Sequence, residues 1–251
     1  SGVAMPSLGG FHFDDGADAP NSEAARLHRG YLDCCGGATG DPATDALLSG
    51  GRTTVDAVRS VAALATAGAP TAATLADQVA TAMTLLTSSL GVEIVMVSLG
   101  SFDDHAAENP NHDRLLGLVD AAIGRFHDLA VATGHPDQYL LMTFSEFGRR
   151  VNEDGSGGTD HGTAAPMLLV GDGVAGGLHG AQPSLSRLDT DGNMVPAVDL
   201  REVYATVLEG WLAGPPAREV LGYGPRDGVT PVRFLRSAPS PAGTAHPALA
   251  Y

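Results

Sequence analysis

The chain has 251 residues, 43% hydrophobic and 17% charged, which supplies a sizeable core and excludes general disorder. Its formal net charge of −15 argues against nucleic acid or an anionic membrane surface as a partner. All fourteen basic residues are arginine, which excludes Schiff-base chemistry and a P-loop lysine, while the adjacent pair Cys34-Cys35 excludes a disulfide framework and a thiolate zinc site.

In chain order, a short strand-like run at Val3–Leu8 is followed by a helical pattern over Asn21–Tyr31. A loop-rich stretch then carries a helical turn at Ala43–Leu48, and a helix is expected over Val55–Ala67. Thr74–Leu90 has a clearer apolar stripe through Leu75, Val79, Ala82, Met83, Leu86 and Leu90, with Gly91 as the stop. Val92–Leu99 is rich in β-branched residues and reads as a strand emptying into Gly100-Ser101-Phe102-Asp103-Asp104-His105. Leu115–Leu129 reads as a helix and Tyr139–Phe144 as a buried strand. The latter empties into Ser145, Glu146, Phe147, Gly148 and Arg149. Beyond the glycine-rich turn 154–158 come Thr159, Asp160, His161 and Gly162, then a second apolar run, Pro166–Val170.

This alternation predicts βαβ units and therefore a single α/β domain over 1–251 with a mostly parallel sheet. Apolar runs without a polar face belong in the middle of such a sheet, and ligands sit beyond the strands' carboxyl ends. Both polar exits should therefore meet at one sheet edge. No apolar run is long enough for a membrane span. Asp189 and Asp191 with Gly192 form a turn rather than a twelve-residue calcium loop. Asp199 opens the last good helix, with Glu202 completing a capping box, and 215–251 is proline-rich and aperiodic, an irregular tail.

Three carboxylates and two histidines arrive on the two exits. Asp103-x-His105 has a spacing that suits a divalent cation; taken alone, a loop aspartate with a solvated histidine explains it as well. Asp160 and His161 are weaker evidence, because adjacent side chains often diverge. Glu146 suits a ligand, a general base or an ion-pair partner of Arg149. Arg149 is the candidate for holding an anionic oxygen, since a guanidinium binds phosphate or sulfate through two parallel bonds. His179, between glycines, is a weaker candidate, and the other histidines read as surface residues.

Thr143-Phe144-Ser145-Glu146-Phe147-Gly148-Arg149-Arg150-Val151, with Gly155-Ser156-Gly157-Gly158-Thr159-Asp160-His161-Gly162, closely resembles a large family of exported bacterial proteins. That family is known as a domain of unknown function, family 1501, placed in the alkaline phosphatase-like, or sulfatase-like, superfamily. Gly100–His105 resembles the family's Gly-Gly-Trp-Asp-Thr-His, with Phe102 in place of tryptophan, and Asp199–Tyr204 resembles its closing helix start. The resemblance implies a three-layer α/β/α fold, a periplasmic or secreted location and a divalent metal ion (zinc, calcium, magnesium or manganese). It carries over Asp103, His105, Glu146 and His161 as ligands, with Asp160 as a ligand or its partner. It implies metal-dependent hydrolysis of a small anionic phosphate or sulfate ester, with a non-catalytic binding or assembly role as the alternative.

Family members begin before the point matching Ser1, so the resemblance also implies that a first core strand and a further ligand loop lie outside this chain. An open sheet edge is then expected, filled by Val3–Leu8, by a neighbouring copy in a homo-oligomer, or by a separate fragment of the same precursor.

Overall fold

The computed structural model describes residues 23–34, 37, 39–50 and 74–236. The runs Val3–Leu8 and Val55–Ala67 lie outside the described residues. The chain divides into two compact units, one of residues 1–99 and 118–126, the other of 100–117 and 127–251.

The first unit is helical wherever it has regular structure among the described residues. Helix α1 spans Glu23–Cys34. Helix α2 covers residues 42–50, and the Asp41 carboxylate accepts hydrogen bonds from the Thr44 backbone N–H (2.9 Å) and hydroxyl (2.6 Å) at its start. Helix α3, Leu75–Leu86, opens on a capping box in which Thr74 and Asp77 satisfy each other's backbone N–H groups. It buries Val79, Ala80, Met83 and Leu85. It ends short of the expected Leu90, where the Ser88 hydroxyl (2.6 Å) and N–H (3.2 Å) both occupy the Leu85 carbonyl that the Ser89 N–H would take in a continuing helix.

Helix α4, Glu108–Ala132, is a turn or two longer at its start than its apolar pattern predicts. Leu115, Ala122, Phe126 and Ala130 form its buried stripe, and Gly134 at φ +78° follows its end. Its N-cap residue, Ala107, sits at φ +49° and offers no side-chain cap. Instead, Ala107 N–H and Glu108 N–H donate to the carbonyls of Ser156 and Gly157, each at 3.0 Å. A tertiary contact thus satisfies donors that a helix start leaves orphaned.

The expected three-layer α/β/α fold with a mostly parallel sheet does not form. The described strands make two separate two-stranded antiparallel sheets. Strand β1, Leu141–Met142, pairs with β4, Leu169–Val170. Strand β2, Gly148–Glu153, pairs with β3, Thr159–Gly162, in a hairpin carrying a bulge between Arg149 and Glu153. Val92–Leu99 has no ladder partner among the described residues, and Ile94 and Met96 are exposed. Strand propensity measures how well side chains suit a pleated surface, but a strand also needs a second backbone beside it. Here the apolar run at 141–142 finds a neighbour close in sequence, in the antiparallel sense, and the run at 92–99 finds none among the described residues.

The β2–β3 hairpin lies where the sequence suggested only a loop, because Val151 is the one large apolar residue in its two strands. Glycine makes it possible: a Cβ on Gly148 would stand 1.9 Å from the Ala164 carbonyl oxygen, and one on Gly162 would stand 2.8 Å from the Arg149 backbone.

Later in this unit, Asp199 and Glu202 form the expected capping box at the start of α5, Leu200–Thr206, which continues as a π-helical turn, Val207–Trp211. Helix α6, Ala217–Leu221, follows. The chain then returns to pair Leu235 with Val174, burying Phe234 almost completely. Among the described residues no helix is long and apolar enough to cross a membrane.

Candidate metal centre

Two segments of the second unit build the cluster: the loop 100–107 before α4 and the hairpin β2–β3. The loop is bracketed by two non-glycine residues at positive φ, Ser101 (74°) and Ala107 (49°), a costly conformation that tertiary contacts must hold. Between them, Asp103 Oδ1 accepts hydrogen bonds from Nε2 of His105 at 3.0 Å and Nε2 of His161 at 2.9 Å. One carboxylate oxygen thus gathers two imidazoles from residues 58 apart in sequence. The hydrogen bond from His161, reinforced by that from His105, holds the Asp103 carboxyl below the usual carboxylate range.

The His161 ring stacks on Phe147, with centroids 3.8 Å apart and planes 10° apart, and less closely on His105 at 4.9 Å and 30°. Asp160 lies with Oδ1 3.7 Å from Nδ1 of His105, the ring nitrogen that does not face Asp103.

Below this exposed cluster lies a buried ion pair. Arg149 of β2 directs its guanidinium at the carbonyls of Phe102 and Thr159, and its Nε lies 3.4 Å from Glu108 Oε1. The other Glu108 oxygen accepts the Thr159 backbone N–H (2.9 Å) and hydroxyl (2.8 Å). Ser156 adds a hydrogen bond from its hydroxyl to the His105 carbonyl at 2.6 Å.

The structure therefore brings together Asp103, His105 and His161, with Asp160 at the margin. Glu146 is exposed and stands outside the group of clustered donor atoms. Arg149 is engaged with backbone carbonyls and Glu108. His179 binds the Ala175 carbonyl and meets the edge of Phe234, in the C-terminal part of the unit.

Sequence reasoning missed Glu108, Thr159 and the stacking role of Phe147. The one available signal was a glutamate in the first turn after a polar loop, which says nothing about burial. His112, read as a surface residue, lies 3.8 Å from Glu108 Oε1 and meets Phe102 edge-on.

The donor types of the cluster, two imidazoles and a carboxylate, are those that hold a metal ion. An ion bound at about 2.0–2.2 Å by nitrogen and oxygen keeps adjacent donors roughly 3–3.5 Å apart. The two Asp103–histidine distances are 2.9 and 3.0 Å, and all three donor atoms lie within 4.8 Å of one another. Two imidazoles and one carboxylate suit a first-row transition ion, whereas calcium and magnesium favour oxygen donors throughout. No curated protein and no solved structure matches the chain. One family does, described as "Protein of unknown function (DUF1501)", over residues 52–214, which include the loop of Asp103 and the whole β2–β3 hairpin. That match covers more than half of the chain, and this protein belongs to the DUF1501 family.

Proposed function

We propose that the protein binds one divalent transition-metal ion, zinc or manganese, through Asp103, His105 and His161, and uses it to hydrolyse phosphate or sulfate esters. The observation that supports this reading is the meeting of three exposed donor side chains from two distant segments on one point. When bound, such an ion polarises an ester oxygen and lowers the pKa of water at its open positions. The chain's own residues hold and orient it. Asp103 supplies the anionic donor, Phe147 fixes the plane of the His161 ring, and Asp160 faces the outer nitrogen of His105, where a carboxylate can steady a ligating imidazole. Both Nε2 atoms face Asp103 Oδ1, so an ion held there would require each ring to carry its proton on Nδ1, which for His105 is the nitrogen that Asp160 faces.

A non-catalytic binding role is favoured by a different observation: Glu146 stands outside the cluster and Arg149 is occupied, so neither is placed as a base or an anion holder. Assay of metal-reconstituted protein against aryl phosphate and aryl sulfate esters separates the two. Turnover that needs zinc or manganese and vanishes in His161→Ala supports hydrolysis. Stoichiometric metal uptake without turnover on either ester class leaves the binding role.

A further inference from the structure

We infer that Arg149 is a positioning residue of this centre, a strut that assembles the three donors, rather than the site's anion-binding group. The inference rests on the metal-binding reading above only for one arm of its test. The geometry is that of a tie between two segments. Phe102, whose carbonyl accepts from Arg149, immediately precedes Asp103; Thr159, whose carbonyl also accepts, stands two residues before His161. Both contacts are backbone contacts, so they fix where the two donor-bearing segments lie rather than which side chains they carry.

The guanidinium carbon also stands 5.1 Å from the centroid of the Phe147 ring, whose π system stacks on His161. One cation therefore reaches the loop of Asp103, the strand of His161 and the ring that orients His161. Glu108 completes the device: it lies within ion-pair distance of Arg149 and takes two hydrogen bonds from Thr159, while its own backbone N–H is bound to the 154–158 turn.

A guanidinium has five N–H donors in a fixed fork. Here both terminal nitrogens are committed to carbonyls, Nε faces a carboxylate, and the side chain is only 18% exposed. Two N–H groups remain, one on each terminal nitrogen, but the side chain is held by both segments and by Glu108, which fixes its orientation from within the unit rather than toward a solvent anion. Lysine in its place would keep the charge opposite Glu108 but, as a point donor on a flexible stem, would not bridge two carbonyls in fixed geometry.

Two measurements on the full chain test the strut. In nitrogen-15 NMR of the metal-free protein, the Arg149 Nη protons are expected to be individually resolved and to keep their shifts on addition of inorganic phosphate. Averaged Nη signals that move with phosphate would overturn the inference. In calorimetric titration with manganese, Arg149→Lys is expected to bind about tenfold or more weakly than the parent, in the range seen for lost outer-sphere support. Equal affinity in a folded Arg149→Lys protein would likewise overturn it. If the parent protein takes up neither manganese nor zinc, the metal-binding reading fails, and the guanidinium signals alone decide the strut.

Discussion

The second unit contains two turns built on the same local chemistry, and only one belongs to the candidate site. In the turn 154–158, Asp154 Oδ1 accepts the Ser156 N–H (2.8 Å) and the Gly158 N–H (3.2 Å), and the Ser156 hydroxyl shares its one proton between this oxygen and the His105 carbonyl, each at 2.6 Å. In the turn 189–193, Asp189 Oδ1 accepts the N–H groups of Asp191 (2.9 Å) and Asn193 (2.8 Å), with the Asn193 amide on its other oxygen. Each is an aspartate folding a glycine-bearing turn around itself. The first turn, however, caps α4 through two carbonyls and ties the His105 backbone through Ser156, whereas the second closes the bridge Leu188–Met194, whose Met194 carbonyl accepts the Thr163 hydroxyl at 2.9 Å. An aspartate turn makes no site by itself; the surface on which it is docked does.

The largest effect is expected at the Glu108–Arg149 ion pair, on the α4 start that the first turn caps. Glu108→Ala would strand Arg149 with its carboxylate gone and remove both hydrogen bonds to Thr159. Loss of one member of a largely buried pair costs about 3 kcal/mol or more, so urea denaturation is expected to show a loss of that order. A loss within experimental error would mean that the pair is not integral to the unit.

Glycine substitution separates the two turns next. A Cβ on Gly158 would lie 2.4 Å from both the carbonyl carbon and oxygen of His105, so backbone must move. Gly158→Ala is expected to cost about 1–3 kcal/mol and to weaken metal binding together with stability. At Gly192, a Cβ meets nothing within 4 Å, and only the left-handed φ of +82° is strained. Gly192→Ala is expected to cost about 1–2 kcal/mol while leaving metal affinity at the parent value. Equal loss of metal affinity in both variants would erase the distinction.

The smallest effect is one that the turns should share. The hydroxyl and N–H of Ser156 hold the Asp154 carboxyl below its usual range, and chiefly the Asn193 N–H does so for Asp189. A depressed carboxyl stabilises the fold above its unfolded value of about 3.9, and that contribution disappears as pH falls through the lower folded value. The amides of Gly158 and Asn193 are therefore expected to keep their protection from hydrogen exchange down to about pH 4 and to lose it together in stronger acid. Loss of protection at either amide on the neutral side would contradict the assignment for that turn.

Much of the helical structure was legible in the sequence because its determinants are local. The Thr74 start of α3 and the Asp199/Glu202 box each lie within four consecutive residues, and the apolar stripe of α4 is periodic. The sheet was misread because a ladder depends on which segment lies alongside, which the apolar content of 92–99 and 139–144 does not encode. The β2–β3 hairpin escaped because Arg149, Arg150 and Asn152 give no alternating pattern, and its close contacts rest on absent side chains at Gly148 and Gly162. Asp103 and His105 stood out by their spacing, whereas His161 beside Asp160 was weaker evidence and entered the ligand set, with Glu146, through the family resemblance. The means of bringing Asp103, His105 and His161 together, however, is the docking of the α4 start on a turn and a buried Glu108–Arg149 pair, not the edge of a parallel sheet.

The most direct test of the centre is calorimetric titration of the full, metal-free chain with zinc and with manganese, repeated on His161→Ala and on Asp189→Ala. One ion per chain is expected for the parent and for Asp189→Ala, and at least a hundredfold weaker binding for His161→Ala. A parent protein that binds neither ion, or a His161→Ala protein that binds as tightly as the parent, would contradict the account.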